Sequence, residues 1–210
     1  MFITLEGGEG TGKSTLSKRL ATALRAEGQD LLVTREPGGT PLAEKVRDIA
    51  LAQRPEHPLS ALAMALLMNA ARADHLDTVI RPALARGGFV ICDRFADSTL
   101  AYQSVQGGVS FETLKGLETT VVGETRPDLT LLLDAPPEDL AERRRSRGGP
   151  VDLFEAKSLE FHRAIRDAFL TIARDNQHRI KVLNALQSPE ELVAHALTAI
   201  ELLQRHRAPA

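Results

Sequence analysis

Gly7-Gly8-Glu9-Gly10-Thr11-Gly12-Lys13-Ser14 is the stretch whose reading decides the fold. A glycine, four residues and then Gly-Lys-Ser is the spacing of a phosphate-binding loop. Its glycines let the backbone turn so that successive N–H groups converge on an anion. The helix behind the loop adds the positive end of its dipole. In such a loop Lys13 reaches the β- and γ-phosphates of ATP, and the Ser14 hydroxyl ligates Mg²⁺. Gly7, Gly8, Gly10, Thr11, Gly12, Lys13, Ser14 and Thr15 are the expected nucleotide contacts. The flanks agree: Phe2-Ile3-Thr4-Leu5 reads as a short apolar strand, and Leu16, Leu20 and Leu24 recur at helical spacing before Gly28.

Working outward, apolar runs alternate with helical patterns along all 210 residues, with no repeat, linker or low-complexity segment. Strands are expected at 2–5, 31–34, 89–92, 129–134 and 180–183. Long amphipathic stretches between them predict an α/β fold, with a five-stranded, mainly parallel sheet and helices on both faces. One domain over 1–210 is expected, large enough for a real core. A net charge of −2 gives no general attraction to nucleic acid or an anionic membrane. The single Cys92 excludes an internal disulfide and reads as a buried small hydrophobe, and the six histidines form no metal-ligand spacing. With no secretory apolar region ahead of the first strand and no run of bilayer length, a cytoplasmic enzyme is expected.

In parallel sheets ligands lie beyond the carboxyl ends of the strands, so the residues just after each strand carry the interest. The second strand is followed by Thr34-Arg35-Glu36-Pro37-Gly38-Gly39-Thr40-Pro41, a fixed irregular loop whose Pro41 suits a first helical turn. The helix there is expected to turn Val46 and Ile49 inward and leave Arg47 free. From Pro58 to Gly87 the chain reads as helical, with Leu59, Leu62 and Leu66 on one stripe and a kink or break near Ile80-Arg81 ahead of Pro82. The third strand runs into Asp93-Arg94-Phe95. There Asp93 can hold a Mg²⁺-bound water and Arg94 can fork onto a phosphate, although a structural ion pair has the same signature. Asp134 competes for the metal-associated role, but Pro136 and Pro137 make a structural turn the better reading.

Arg143, Arg144, Arg145 and Arg147 crowd a helix end before Gly148-Gly149. A solvated helix end complementing the dipole is one account. A mobile basic lid over ATP, at about 143–155, fits both the charge and the glycine hinge. After the last strand, residues 184–189 can border the adenine.

These segments together resemble the bacterial thymidylate kinases, a family of P-loop nucleoside-monophosphate kinases. The matching runs are LEGGEGTGKST at 5–15, TREPGGT at 34–40, DRF at 93–95, STLAYQ at 98–103 and RPDLTLLLD at 126–134, together with the arginine-rich segment. The resemblance implies the P-loop NTPase fold of such kinases, homodimers and Mg²⁺-dependent transfer of the ATP γ-phosphoryl group to dTMP. It assigns Arg94 and Arg47 to the acceptor phosphate, and Arg72, Thr99 and Gln103 to the thymine edge. Ser98 falls near the base, and Tyr102 beside the deoxyribose, where it crowds out a 2′-hydroxyl. Pro37 lines the same subsite, and Glu9 points at the acceptor's sugar. Gly10 leaves the loop without the basic residue that some relatives carry, and Arg143, Arg145 and Arg147 would supply that charge from the lid. The Glu36-Pro37 bond resembles one that is cis in relatives.

Met68 departs from the pattern, standing where relatives have a base-stacking Phe or Tyr, and Asn69 stands where small residues are usual. Leu153 and Ala164 occupy positions often held by arginine. A GTPase reading fails on motifs, because no aspartate is followed by glycine three residues on and no Asn-Lys pair occurs. A nucleic-acid-binding ATPase lacks a basic surplus, which leaves another nucleoside-monophosphate kinase as the alternative.

Overall fold

A computed structural model describes residues 1–52, 58–140 and 157–207. Five strands form one sheet: β1 (Phe2–Glu6), β2 (Leu31–Arg35), β3 (Phe89–Asp93), β4 (Leu129–Asp134) and β5 (Ile180–Asn184). Their order is β2-β3-β1-β4-β5, and every pairing is parallel. Each strand lies within a residue of its expected place. The β1–β3 and β1–β4 neighbours put the loop after β1 at the centre of the sheet's carboxyl edge.

Alternation along the strands divides the core between two faces. Ile3 and Leu5 of β1 pack with Ile91, Leu131 and Leu183 against α1 (Lys13–Ala26) and the final helix. Leu16, Leu20 and Leu24 of α1 all enter this cluster, as their spacing predicts. The opposite face carries Phe2, Val90 and Cys92 in one cluster and Leu132 and Ile180 in another. Cys92 is a buried free thiol.

Helix α2 (Pro41–Leu51) is capped by the Thr40 hydroxyl, which accepts from the Ala43 amide at 3.0 Å. It buries Ala43, Val46 and Ala50, whereas Ile49 is 50% exposed. The inward assignment of Ile49 was one helical position from the residue that packs, Ala50. In α3 (Ala61–His75) the leucine stripe turns outward, with Leu62 at 44% and Leu66 at 49% exposure. The inward face is instead made by Met64, Ala65, Asn69, Ala71, Arg72 and His75. The break expected before Pro82 takes the form of a π-helical turn, Leu76–Ile80, that joins α3 to the short α4 (Arg81–Ala85). Pro82 then falls in the first turn of α4, where its missing amide costs nothing.

The chain continues through α5 (Ala96–Gln106), α6 (Phe111–Val122), α7 (Leu159–Asp175) and α8 (Pro189–Arg207). No described helix is long and apolar enough to cross a membrane.

Candidate active site

Gly7 opens the loop with φ 135, and a methyl there would come within 2.4 Å of the Leu133 carbonyl oxygen on β4. Only glycine lets the loop lie this close to the sheet. Gly12, with φ 93, ends it as the N-cap of α1. Lys13 is buried, and its ammonium donates to the Gly7 and Gly8 carbonyls at 2.9 and 2.8 Å. Burial lowers its pKa to about 8, with the neighbouring Arg94 charge acting in the same direction. Ser14 donates to Asp93 Oδ2 at 2.8 Å across the β1–β3 edge. The other Asp93 oxygen, Oδ1, is buried with no hydrogen-bond partner among the described residues.

Glu9 turns away from the loop interior toward Arg94, Tyr102 and His162. Its Oε1 accepts from Arg94 at 3.0 Å and from the Tyr102 hydroxyl, and Oε2 lies 3.6 Å from His162 Nδ1. Burial alone would raise this carboxyl. The His162 hydrogen and the Arg94 and Lys13 charges outweigh burial and hold it well below the usual carboxylate range. Arg94 also donates to Gly7 O and Ser98 Oγ, both at 3.1 Å, and its guanidinium sits 5.1 Å from the Tyr102 ring centre. Burial opposes its charge, but Tyr102, Glu9, Glu6 and Asp93 raise its pKa above the ordinary arginine value. Burial pushes the Tyr102 phenol far up, so it remains a neutral donor.

A cleft of about 690 Å³ runs across the loop. At one end lie Pro37, Arg47, Met68, Arg72, Thr99 and Gln103, and at the other Ala185, Gln187 and Pro189. Arg47 donates to Pro37 O at 3.2 Å, and the Glu36-Pro37 bond is cis. Buried Arg72 is held on three sides: Nε donates to Glu36 at 2.8 Å, one terminal nitrogen to Thr99 at 2.9 Å and the other to Asn69 at 3.3 Å. Every expected site residue that the structure describes lies on this cleft or its loop. Arg143, Arg145 and Arg147, with the whole of 143–155, fall outside the described residues. Asp134 is bound in a fork by Arg166 at 2.8 and 2.9 Å.

Sequence reasoning passed over Glu6, Glu36, His75 and His162. His162 falls on the buried stripe of α7 with Ile165, Phe169 and Ile172, so an i, i+3, i+7 count would have flagged it. Glu36, His75 and Cys92 bring their ligating atoms within 4.8 Å of one another. Each is already engaged. His75 lies 2.7 Å from Thr34 Oγ1 and 3.1 Å from Glu36, Glu36 also pairs with Arg72, and the Cys92 thiol donates to Arg94 O. The group is a buried brace between the end of β2 and α3.

A family model described as thymidylate kinase matches residues 5–196. The chain is 52% identical over 200 residues to the thymidylate kinase of Pseudomonas putida (strain W619), covering 95% of each chain. It is 50% identical over 184 residues to that of Caulobacter vibrioides (strain ATCC 19089 / CIP 103742 / CB 15), covering 88% of each. Among solved structures, the thymidylate kinase of Ehrlichia chaffeensis superposes with a TM-score of 0.77 at 32% identity, covering 95% of this chain and 98% of that one.

Proposed function

The chain belongs to the thymidylate kinase family and transfers the γ-phosphoryl group of ATP to dTMP in nucleotide synthesis, and from that premise we propose how its residues divide the work. The observation that supports the division best is the single cleft with the phosphate loop at its middle. ATP takes the end bordered by Ala185, Gln187 and Pro189, with its phosphates on the amides of residues 7–15 and on Lys13. dTMP takes the other end. Its phosphate meets Arg94 and Arg47, its sugar meets Glu9 and Tyr102, and its base meets Met68, Arg72, Ser98, Thr99 and Gln103. Two phosphate groups held on either side of one loop are thereby placed for in-line transfer.

Ser14 and Asp93 suit Mg²⁺, because both present hard oxygen donors and Asp93 Oδ1 is buried without a partner among the described residues. Asp93 would act through a coordinated water. Held there, the ion would offset the negative charge of the ATP phosphates. Glu9 puts a carboxylate inside an anion-binding loop, and Arg94 and His162 turn that charge toward the acceptor side. Arg143, Arg145 and Arg147 complete the set as a lid at about 143–155 of one kinase domain spanning 1–210. That role rests on their sequence and on Gly10, which brings no charge to the loop.

The protein is proposed to act as a cytoplasmic homodimer without nucleic-acid or membrane partners. Exposed Leu62 and Leu66 on α3 support self-association, since α2 and α6 flank that helix with exposed Leu42, Ile49 and Phe111. An ADP-release assay across nucleoside monophosphates tests the assignment. Turnover should be highest with dTMP, and Arg147→Ala should lower kcat by about 10²-fold or more while ATP affinity holds. Equal turnover on purine monophosphates would overturn the base assignment, and an unchanged kcat in every single alanine variant of Arg143, Arg144, Arg145 and Arg147 would overturn the lid.

A further inference from the structure

Glu6 has no part in the division of labour above, yet it is the carboxylate that the fold has buried most completely beside the loop. It ends β1 at 1% exposure, and strand alternation puts it on the face of Phe2 and Thr4, beneath α5. Its Oε1 accepts from the Phe95 amide at 2.8 Å and the Ser98 amide at 3.3 Å, and its Oε2 accepts from the Ser98 hydroxyl at 2.6 Å. Phe95, at the N-cap of α5, offers no side-chain acceptor of its own. A carboxylate reaching across from the sheet therefore caps the helix that carries Ser98, Thr99, Tyr102 and Gln103.

The direction of these bonds carries the argument. Arg94 donates to Ser98 Oγ at 3.1 Å, and a guanidinium has no lone pair to accept with. Ionised Glu6 has no proton to give, so the Ser98 hydrogen must point at Glu6 and a Ser98 lone pair at Arg94. The relay from Arg94 through Ser98 to Glu6 then runs one way. Arg94 itself sits at φ 68, the only non-glycine residue with positive φ among those described. The other charges that interact with Glu6 are Asp97 on α5, Lys13 on α1, Arg94 itself and Arg179 ahead of β5, with the Cys92 thiol on β3. Burial, reinforced by Asp97, pushes Glu6 up to about 7.

We propose that Glu6 is a positioning residue for the acceptor phosphate, fixing the Ser98 hydroxyl so that its lone pair holds the Arg94 guanidinium in place. The proposal rests on the assignment of Arg94 to that phosphate. It gives the buried acid of the first strand a direct task in dTMP binding, and toward ATP only the through-space action of its charge on Lys13.

Glu6→Gln is the discriminating variant, assayed at about pH 8, above the Glu6 value of about 7. Glutamine keeps the size and the acceptor toward the Phe95 amide, but its amide nitrogen must donate to Ser98 Oγ, which reverses the relay. KM for dTMP should rise about tenfold, the scale of one charge-assisted hydrogen bond. KM for ATP should stay within about twofold, a split that general loss of structure would not produce. Ser98→Ala breaks the same link, so the double variant should bind dTMP no worse than the weaker single one. An unchanged KM for dTMP in folded Glu6→Gln, or additive effects in the double variant, would overturn the proposal. Should Glu6→Gln fail to fold, Glu6→Asp, whose shorter side chain withdraws from the Ser98 hydroxyl, takes its place in the cycle with Ser98→Ala, and an unchanged KM for dTMP in either is equally fatal. An unchanged KM in Arg94→Ala would instead bring down the assignment of Arg94, and the relay with it.

Discussion

Gly7 and Lys13 stand at the two ends of the phosphate loop, and they constrain it in different ways. Gly7 is a matter of space: its φ of 135 and its approach to the β4 backbone leave no room for a side chain. Lys13 is a matter of charge, an ammonium held against two loop carbonyls at a cost in desolvation that shows in its pKa of about 8. Removing it exposes two carbonyls to loss of a donor, worth about 1 kcal/mol each, and relieves a buried charge. Lys13→Ala should therefore melt close to the wild-type temperature while losing phosphoryl transfer. Gly7→Ala should lower the melting temperature by at least about 4 °C, because a strained φ and a backbone clash add. Calorimetry beside an ADP-release assay separates the two, and full turnover in Lys13→Ala would reduce that lysine to a brace for the loop.

Elements in this molecule are joined at their ends by buried charges. Arg179, just before β5, forks onto Asp97 in the first turn of α5 at 2.7 and 2.8 Å. Glu36 ties the end of β2 to α3 through Arg72 and His75. Glu6 does the same between β1 and α5, and there a pH dependence follows. Its folded pKa of about 7 lies above the ordinary carboxyl value of 4.5, so between those values the folded chain holds a proton that the unfolded chain has lost. The stability from this group is complete below 4.5 and is lost as pH rises through about 7. The loss amounts to about 3 kcal/mol at most. Denaturant titrations of wild type and Glu6→Gln at both ends of that window should show the wild type losing more stability on going alkaline. Parallel curves would mean that Glu6 titrates as an ordinary carboxylate.

At the scale of the whole molecule, the strand order explains why one loop can serve two substrates. β1 lies between β3 and β4, so the loop after it has neighbours on both sides: Asp93 and Arg94 from β3, and the 134–137 turn from β4. The cleft extends from this centre in both directions. The outward leucines of α3, Leu62 and Leu66, belong to the same scale, because they contribute to no core cluster among the described residues. Leu62→Glu with Leu66→Glu should convert a dimer to a monomer in sedimentation velocity, with far-UV circular dichroism preserved. A double variant that sediments like the wild type would place any dimer contact elsewhere.

Much of this was legible in the residues. Strand period, helix period and the Gly-Lys-Ser loop determined the element order and the five strands to within a residue, because each depends on local pattern. Parallel pairing followed from the long helical crossovers. The side-chain partners did not follow. Val46 and Ile49 differ little in hydrophobicity, and only the packing of α2 on α3 made Ala50, not Ile49, the buried neighbour. Glu6 lay just past the expected first strand and carried no reading until the fold brought α5 over it, and His162 carried none until α7 came to lie beside Glu9. The sequence by itself determined which residues can bind phosphate and which runs can form the sheet. Tertiary structure alone decided which buried charges meet, because hydrogen-bond direction and desolvation depend on neighbours as far apart in the chain as Glu9 and His162.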